Sequence, residues 1–128
     1  MNWIVANIDW IMIVSGLLTF TMIYAALAPQ AALRANFGET LEGPLAEIIV
    51  RNWGALIALV GAMLIYGAYD PQSRALILIV AGASKLIFIA LVLSQGGRYL
   101  RRQAGIAVLV DLVMVALFAG YLLASRAA

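Results

Sequence analysis

Four long apolar runs constrain this chain more than any other feature of its sequence. They cover about residues 3–28, 44–69, 71–95 and 100–124, and each exceeds the roughly 20 residues that a helix needs to cross a bilayer. Runs such as LIALVGAMLIYGA do not alternate apolar and polar residues, as the strands of a membrane β-barrel would. The pattern therefore predicts four membrane-spanning helices.

The composition and the helix boundaries favour the same interpretation. Of the 128 residues, 66% are hydrophobic and 11% are charged, whereas a soluble domain has about 25% charged residues. Gly43-Pro44 and Asp70-Pro71 each place a proline at the start of an apolar run, where a first-turn proline favours a helix. We predict an all-α protein, an antiparallel four-helix transmembrane bundle, with one membrane domain over residues 1–128.

Several functional classes are disfavoured by the residues that the chain lacks. It contains no cysteine and no histidine, which leaves no nitrogen or sulfur ligands for zinc, haem or an iron–sulfur cluster. We expect neither a metal nor a cofactor. The net charge of +2 comes without a basic run, so nucleic acid is not an expected partner. No nucleophile elbow or phosphate loop occurs, so an enzyme acting on a lipid-soluble substrate is the less favoured alternative.

The connection between the first two apolar runs, residues 29–43, is the longest one. Its stretch QAALRANFGET has Leu33 and Phe37 one helical turn apart, and Gly38 follows. This spacing fits a short amphipathic helix at the membrane surface that ends at the glycine. A plain polar loop is the alternative.

Arginines in the connections indicate the orientation. The first and third connections carry four of them: Arg34, Arg98, Arg101 and Arg102. Two arginines lie on the opposite side. The positive-inside rule then places the first and third connections inside and both termini outside.

Five polar side chains in the second, third and fourth predicted spans are candidate site residues. Lys85 and Asp111 fall near the middle of the third and fourth runs, whereas Glu47 and Arg51 are one turn apart in the second, with Asn52 beside them. An unpaired charge at the centre of a span costs about 2.5–3.5 kcal/mol. Because the four charges sum to zero, we predict that they converge in a closed internal network.

Two function classes follow from this predicted network. In the first, the protein binds or transports a small anionic or amphipathic molecule: Arg51 and Lys85 attract the anion, and Glu47 or Asp111 exchanges a proton. In the second, the network merely fixes helix register. The chain is then a non-catalytic accessory subunit or assembly factor of a membrane complex.

Two further features leave alternatives open. Asp9, about two turns into the first run, is either an acid near the lipid headgroups or a second proton site. Small residues line one side of the second run and predict close helix packing, either within the chain or in a homodimer. They are Gly54, Ala58, Gly61 and Ala62.

Several motifs resemble those of one family over almost the whole chain: YAALAP at Tyr24–Pro29, Phe37-Gly38, EIIVRNWGAL at Glu47–Leu56, SKLIFIALVL at Ser84–Leu93, and Asp111. The chain thus resembles the BphX-like family of small four-span bacterial inner-membrane proteins, which have no assigned activity. The resemblance implies a location in the bacterial plasma membrane. It also implies a signature of six residues: Glu47, Arg51, Asn52, Trp53, Lys85 and Asp111.

Overall fold

The computed structural model describes residues 2–127, and the side chains of residues 3–125. Met1 and Ala128, the ends of the predicted domain, lie outside the described residues. Within this range the chain forms seven α-helices and no strand, which confirms the prediction of an all-α protein. The helices are α1 (Asn2–Ala6), α2 (Ile8–Phe20), α3 (Ile23–Leu27), α4 (Pro29–Phe37), α5 (Pro44–Tyr69), α6 (Pro71–Leu93) and α7 (Gln103–Ala127).

Four segments are long and apolar enough to cross a membrane, as predicted: Ile8–Leu27, Pro44–Tyr69, Pro71–Leu93 and Gln103–Ser125. We call them spans one to four. The second has the predicted bounds. The third ends two residues earlier than predicted, and the fourth begins three residues later, because residues 94–102 form turns. The chain is therefore suited to a multi-pass position in a membrane.

Span one consists of α2 and α3, and the short helix α1 precedes it. Polar side chains accompany both interruptions of the predicted run 3–28. At the first, the Asn7 amide donates to the Trp3 carbonyl at 2.9 Å, and at the second, the Thr21 hydroxyl donates to the Leu18 carbonyl. Such bonds from a side chain to the backbone compete with regular helix hydrogen bonding. The apolar run is continuous, but the helix is not.

Close backbone packing holds span one against α5. A Cβ atom added to Gly61 would lie 2.5 Å from the Phe20 nitrogen and 2.6 Å from the Gly16 carbonyl oxygen. One added to Gly54 would lie 2.6 Å from the Ala25 methyl carbon. Gly54 and Gly61 of the small-residue face are therefore used inside the chain, where they let two helices approach closely, whereas Ala62 is exposed.

A tight turn joins α5 to α6, as the Asp70-Pro71 pair predicts. Arg74 donates to the carbonyls of Gly67 and Ala68 at 3.0 and 2.9 Å, which satisfies acceptors at the end of α5. The Ser73 hydroxyl donates to the Asp70 carboxylate at 2.6 Å. This hydrogen bond holds the pKa of Asp70 below its usual range.

The hydrophobic core lies towards this end of the protein. Its four largest fully buried side chains come from span one, α5, α6 and α7: Met12, Leu64, Leu78 and Phe118. The four spans therefore share one core and form one helical bundle. The opposite end, near α4, has a smaller buried cluster of Ile89, Val92 and Val108 and contains the polar side chains discussed below.

Helix α4 confirms the helical interpretation of the first connection. It ends at Gly38, which has a left-handed φ of 74° that favours glycine. Leu33 is buried. Phe37 packs against the rings of Trp53 and Tyr99, with ring centres 6.1 and 5.2 Å apart. The connection is therefore part of the folded structure and closes one end of the bundle.

Candidate functional site

A buried ion pair joins α6 to α7. The Lys85 ammonium lies 3.0 Å from the Asp111 carboxylate, and their side chains are 7% and 16% exposed. Lys85 precedes the end of α6 by eight residues, and Asp111 follows the start of α7 by eight, so both lie about 12 Å from the connection between these helices. Their matching depth is the reason that two consecutive helices can bring them together.

Span one contributes a third member to this group. The Thr19 hydroxyl accepts a hydrogen bond from Lys85 at 3.0 Å and donates its own proton to the Ser15 carbonyl at 2.7 Å. The bond to Ser15 is the local bond that a threonine in a helix commonly forms. It also orients the oxygen lone pairs towards the ammonium. Three spans therefore meet at Lys85.

The pair retains unused hydrogen-bonding capacity. An ammonium has three donors, and Lys85 gives one each to Thr19 and Asp111. Its bond to Asp111 uses the Oδ1 atom. Within the described residues this leaves one ammonium donor and the Oδ2 acceptor available. A ligand that presents an acceptor next to a donor would match both.

These groups line a cavity of about 310 Å³ between the spans, a volume at the small end of ligand pockets. Lys85, Asp111, Thr19 and Ser84 form its charged and polar wall. Most of the remaining wall is apolar, and it is formed by side chains such as Met22, Trp53, Ile57, Val60, Phe88 and Met114. The cavity therefore combines a polar group with an apolar enclosure.

A second polar group lies at the α4 end of the cavity. The Asn36 amide donates to the Tyr24 hydroxyl at 2.7 Å, and this hydroxyl donates to the Gln103 side-chain oxygen at 2.9 Å. Gln103 precedes Asp111 by eight residues on α7, so the two polar groups are about 12 Å apart along this helix. The cavity therefore has one polar group at each of two separate places along its wall.

The cavity opens between span one and α7. Leu18 and Thr21 on one side and Gln103 and Ile106 on the other line it and are exposed. A second cavity of about 530 Å³ lies beside it, also between α2 and α7, and shares Leu18, Val110 and Met114 with it. Its lining is almost entirely apolar, so an apolar chain could extend from the first cavity into the second.

Glu47 and Arg51 are not part of this site, which corrects the predicted closed network of four charges. They form an ion pair of 3.2 Å on the surface of α5, where their side chains are 47% and 52% exposed. The reason is the rotation of α5, which turns Trp53 to the cavity. Arg51 precedes Trp53 by two residues, or about 200° around the helix. Asn52 is also exposed and does not line the cavity.

Asp9 lies apart from the site as well. It is exposed in the first turn of α2, where a negative charge is favoured by the helix dipole. Among the described residues, no three acidic side chains are arranged to hold a metal ion.

Tyr24, Asn36 and Gln103 line the cavity but were not singled out by the sequence. Each is uncharged, and each lies at an end of its helix, where a polar residue has an ordinary explanation at the membrane surface. The feature of the sequence that could have indicated these residues is their position along the chain. Asn36 lies in the first connection, and Tyr24 and Gln103 lie close to the first and third connections, which the predicted topology places on one side of the membrane.

No family model matches this chain, and neither curated proteins nor solved structures give a match. The resemblance to the BphX-like family therefore stays a prediction, which rests on residues such as Glu47, Arg51 and Lys85. The interpretation of the site depends on its geometry.

Proposed function

We propose that this protein binds or transports a small amphipathic acid within the membrane, with Lys85 and Asp111 holding its polar group. One observation carries the proposal: the buried Lys85–Asp111 pair lines an otherwise largely apolar cavity of about 310 Å³. Ionisable groups inside spans are costly and usually functional. Arg51, which the sequence suggested as an anion ligand, has no role in this binding.

The charges of the cavity indicate how an anion would bind. Lys85 and Asp111 sum to zero, and Tyr24 is the other titratable side chain on the wall. An added anion would leave one uncompensated charge in an apolar enclosure, which is unfavourable. A carboxylate therefore binds together with one proton. The proton is shared between the Asp111 Oδ2 atom and the ligand's carboxyl group, and Lys85 gives the ligand its third ammonium donor.

The apolar second cavity supports the amphipathic part of the proposal. The opening between span one and α7 faces the lipid if the four spans cross the membrane. A ligand dissolved in the bilayer then reaches Lys85 sideways, and its chain occupies the space near Leu18, Val110 and Met114. This route needs no aqueous pore through the bundle.

The membrane setting is part of the same proposal. The chain forms an antiparallel four-helix transmembrane bundle in the bacterial plasma membrane, with both termini outside. The apolar spans support the transmembrane position, and the arginines of the first and third connections support the orientation. The Tyr24–Asn36–Gln103 end of the cavity then lies on the inner side.

Thermal unfolding in detergent micelles with added carboxylates tests this function. The probes are medium-chain carboxylates, with the alcohols and amines of the same chain length as controls for detergent-like effects. We expect the carboxylates alone to raise the unfolding temperature, and to bind more tightly as the pH falls, by up to about tenfold per unit. Saturation at about 100 times Kd should stabilise the protein by about 2.7 kcal/mol.

Matched variants locate the binding. The double variant Lys85→Met with Asp111→Leu keeps the cavity neutral and should lose the carboxylate response, whereas Arg51→Gln should keep it. Stabilisation that is equal for alcohols and carboxylates, or that survives in the double variant, would contradict the proposal. Uptake of a labelled carboxylate into vesicles would then separate transport from binding.

The accessory-subunit alternative has a different observation in its favour. Glu47, Arg51 and Asn52 form a polar surface on the outside of a span, which a partner helix would cover. Gentle extraction from native membranes, followed by cross-linking and mass spectrometry, tests this alternative. A stoichiometric partner protein would favour it, and a homo-oligomer with a bound acid would contradict it.

A further inference from the structure

One face of α5 is exposed along nearly the whole helix. Its residues recur every three to four positions, which is the spacing of a coiled-coil seam: Leu45, Ile49, Asn52, Leu56, Leu59, Met63 and Tyr66. We call this face the α5 seam. It lies opposite Gly54 and Gly61, which pack against span one. The seam is therefore free for a contact outside the chain.

Apart from Tyr66 near the end of α5, Asn52 is the one polar residue of the seam. It follows the first residue of α5 by eight positions, or about 12 Å, and α5 is about 39 Å long. If the helix is centred on a hydrocarbon layer of about 30 Å, Asn52 lies roughly 7 Å below the layer's edge. Its side chain is too short to reach the headgroups, and lipid tails cannot hydrogen-bond its amide.

We propose that the α5 seam binds a second copy of this chain in a parallel, two-fold symmetric dimer whose axis passes beside Asn52. A primary amide carries both donors and an acceptor, so two Asn52 side chains at an axis satisfy each other. Asparagine side chains hydrogen-bond across helices in membranes, and one at a seam position fixes register and oligomeric state. A two-fold axis requires this self-complementarity.

The surroundings of Asn52 favour an identical partner. Arg51 and Glu47 already neutralise each other on the same helix, so the surface presents an amide and apolar side chains without a net charge. A partner that carried an unpaired charge would gain no counter-ion there. Gly54 and Gly61 of the small-residue face, the alternative dimer contact, are covered by span one.

Cysteine cross-linking in isolated membranes tests the contact face, because the full chain contains no cysteine. Leu56→Cys and Leu59→Cys place thiols in the seam. Leu91→Cys on α6 and Leu109→Cys on α7 are matched controls, since both leucines are 64% exposed. We expect disulfide-linked dimers from the two seam variants alone. Equal cross-linking from all four variants, none from any, or cross-links to another protein would overturn the proposal.

The amide is tested separately, by the dimer dissociation constant of fluorescently labelled protein diluted in phosphatidylcholine–phosphatidylglycerol vesicles. Asn52→Leu should weaken the dimer by about 3- to 30-fold, the range expected for one interhelical hydrogen bond in a membrane. Asn52→Gln should retain most of the affinity. A chain that stays monomeric at high protein-to-lipid ratio, or Asn52→Leu dimers as tight as those of the unaltered chain, would refute the inference. The carboxylate response is independent of either result.

Discussion

Removing one partner of the Lys85–Asp111 pair should make stability depend on pH, with opposite signs for the two partners. In Lys85→Met, the Asp111 carboxylate loses its ammonium in a place where it is 16% exposed. It can become neutral by taking up a proton. At about pH 7 an ordinary carboxyl group is about three pH units above its pKa, and each unit corresponds to about 1.4 kcal/mol. This protonation therefore costs about 4 kcal/mol.

In Asp111→Leu, the Lys85 ammonium is left with Thr19 as its hydrogen-bond acceptor. Release of a proton from an ordinary lysine at about pH 7 costs about 5 kcal/mol by the same reasoning. Both values agree with the 3–5 kcal/mol that is typical when a buried ion pair loses one partner. Each single variant should thus be destabilised by about this amount.

The signs follow from the protons bound in each state. The folded Lys85→Met protein holds a proton that its unfolded chain lacks near neutrality, so its free energy of unfolding falls by about 1.4 kcal/mol per unit as pH rises. The folded Asp111→Leu protein lacks a proton that its unfolded chain holds, so its stability rises with pH by the same slope. The double variant should show neither slope.

Unfolding by SDS in mixed micelles, between about pH 5 and pH 9, measures these slopes, because an ordinary aspartate and an ordinary lysine of the unfolded chain both stay charged over this range. We expect the double variant to be at least as stable as the unaltered chain, because replacing a buried pair by apolar residues is often neutral or stabilising. The double variant Glu47→Gln with Arg51→Gln, in the exposed pair, should show no such slope, because it removes both charges together. Equal, pH-independent losses of stability in both single variants and the double variant would contradict the assignment of Lys85 and Asp111 as a buried ion pair.

Two further predictions concern the packing and the turn. Gly61→Ala should be less stable than Gly82→Ala by about 1–3 kcal/mol, because a new methyl group meets backbone atoms at Gly61 and open space at Gly82. SDS unfolding measures the difference in stability. Equal stabilities would contradict close packing of α5 on span one. Ser73→Ala should raise the pKa of Asp70 towards its ordinary value, because it removes the hydroxyl donor. Carboxyl NMR titration measures this pKa, and an unchanged value would assign the shift to another group.

The level of a residue along its helix could be predicted from the sequence, but the direction in which its side chain points could not. Counting residues along consecutive apolar runs placed Lys85 and Asp111 at one level, and the structure pairs them. The same count placed Arg51 at a similar level. It could not show that α5 turns Trp53, rather than Arg51, to the cavity, because the rotation is set by glycine contacts with span one.

The uncharged residues of the site could not be predicted from the sequence for a related reason. Asn36 belongs to α4, a segment for which the sequence allowed either a helix or a loop, and Gln103 begins α7 just after a turn. Their meeting at Tyr24 depends on how two connections fold over one end of the bundle. Hydropathy is informative about spans and says little about the connections between them.

The most apolar spans of the chain are those that carry the buried charges. Spans three and four have the two highest hydropathies of the four, although they contain Lys85 and Asp111. Each can therefore enter the bilayer by itself and offset the roughly 2.5–3.5 kcal/mol that an unpaired charge costs there. The ion pair can then form after insertion, when the helices meet by lateral diffusion. The newly made protein thus needs no preassembled α6–α7 hairpin to reach its folded state.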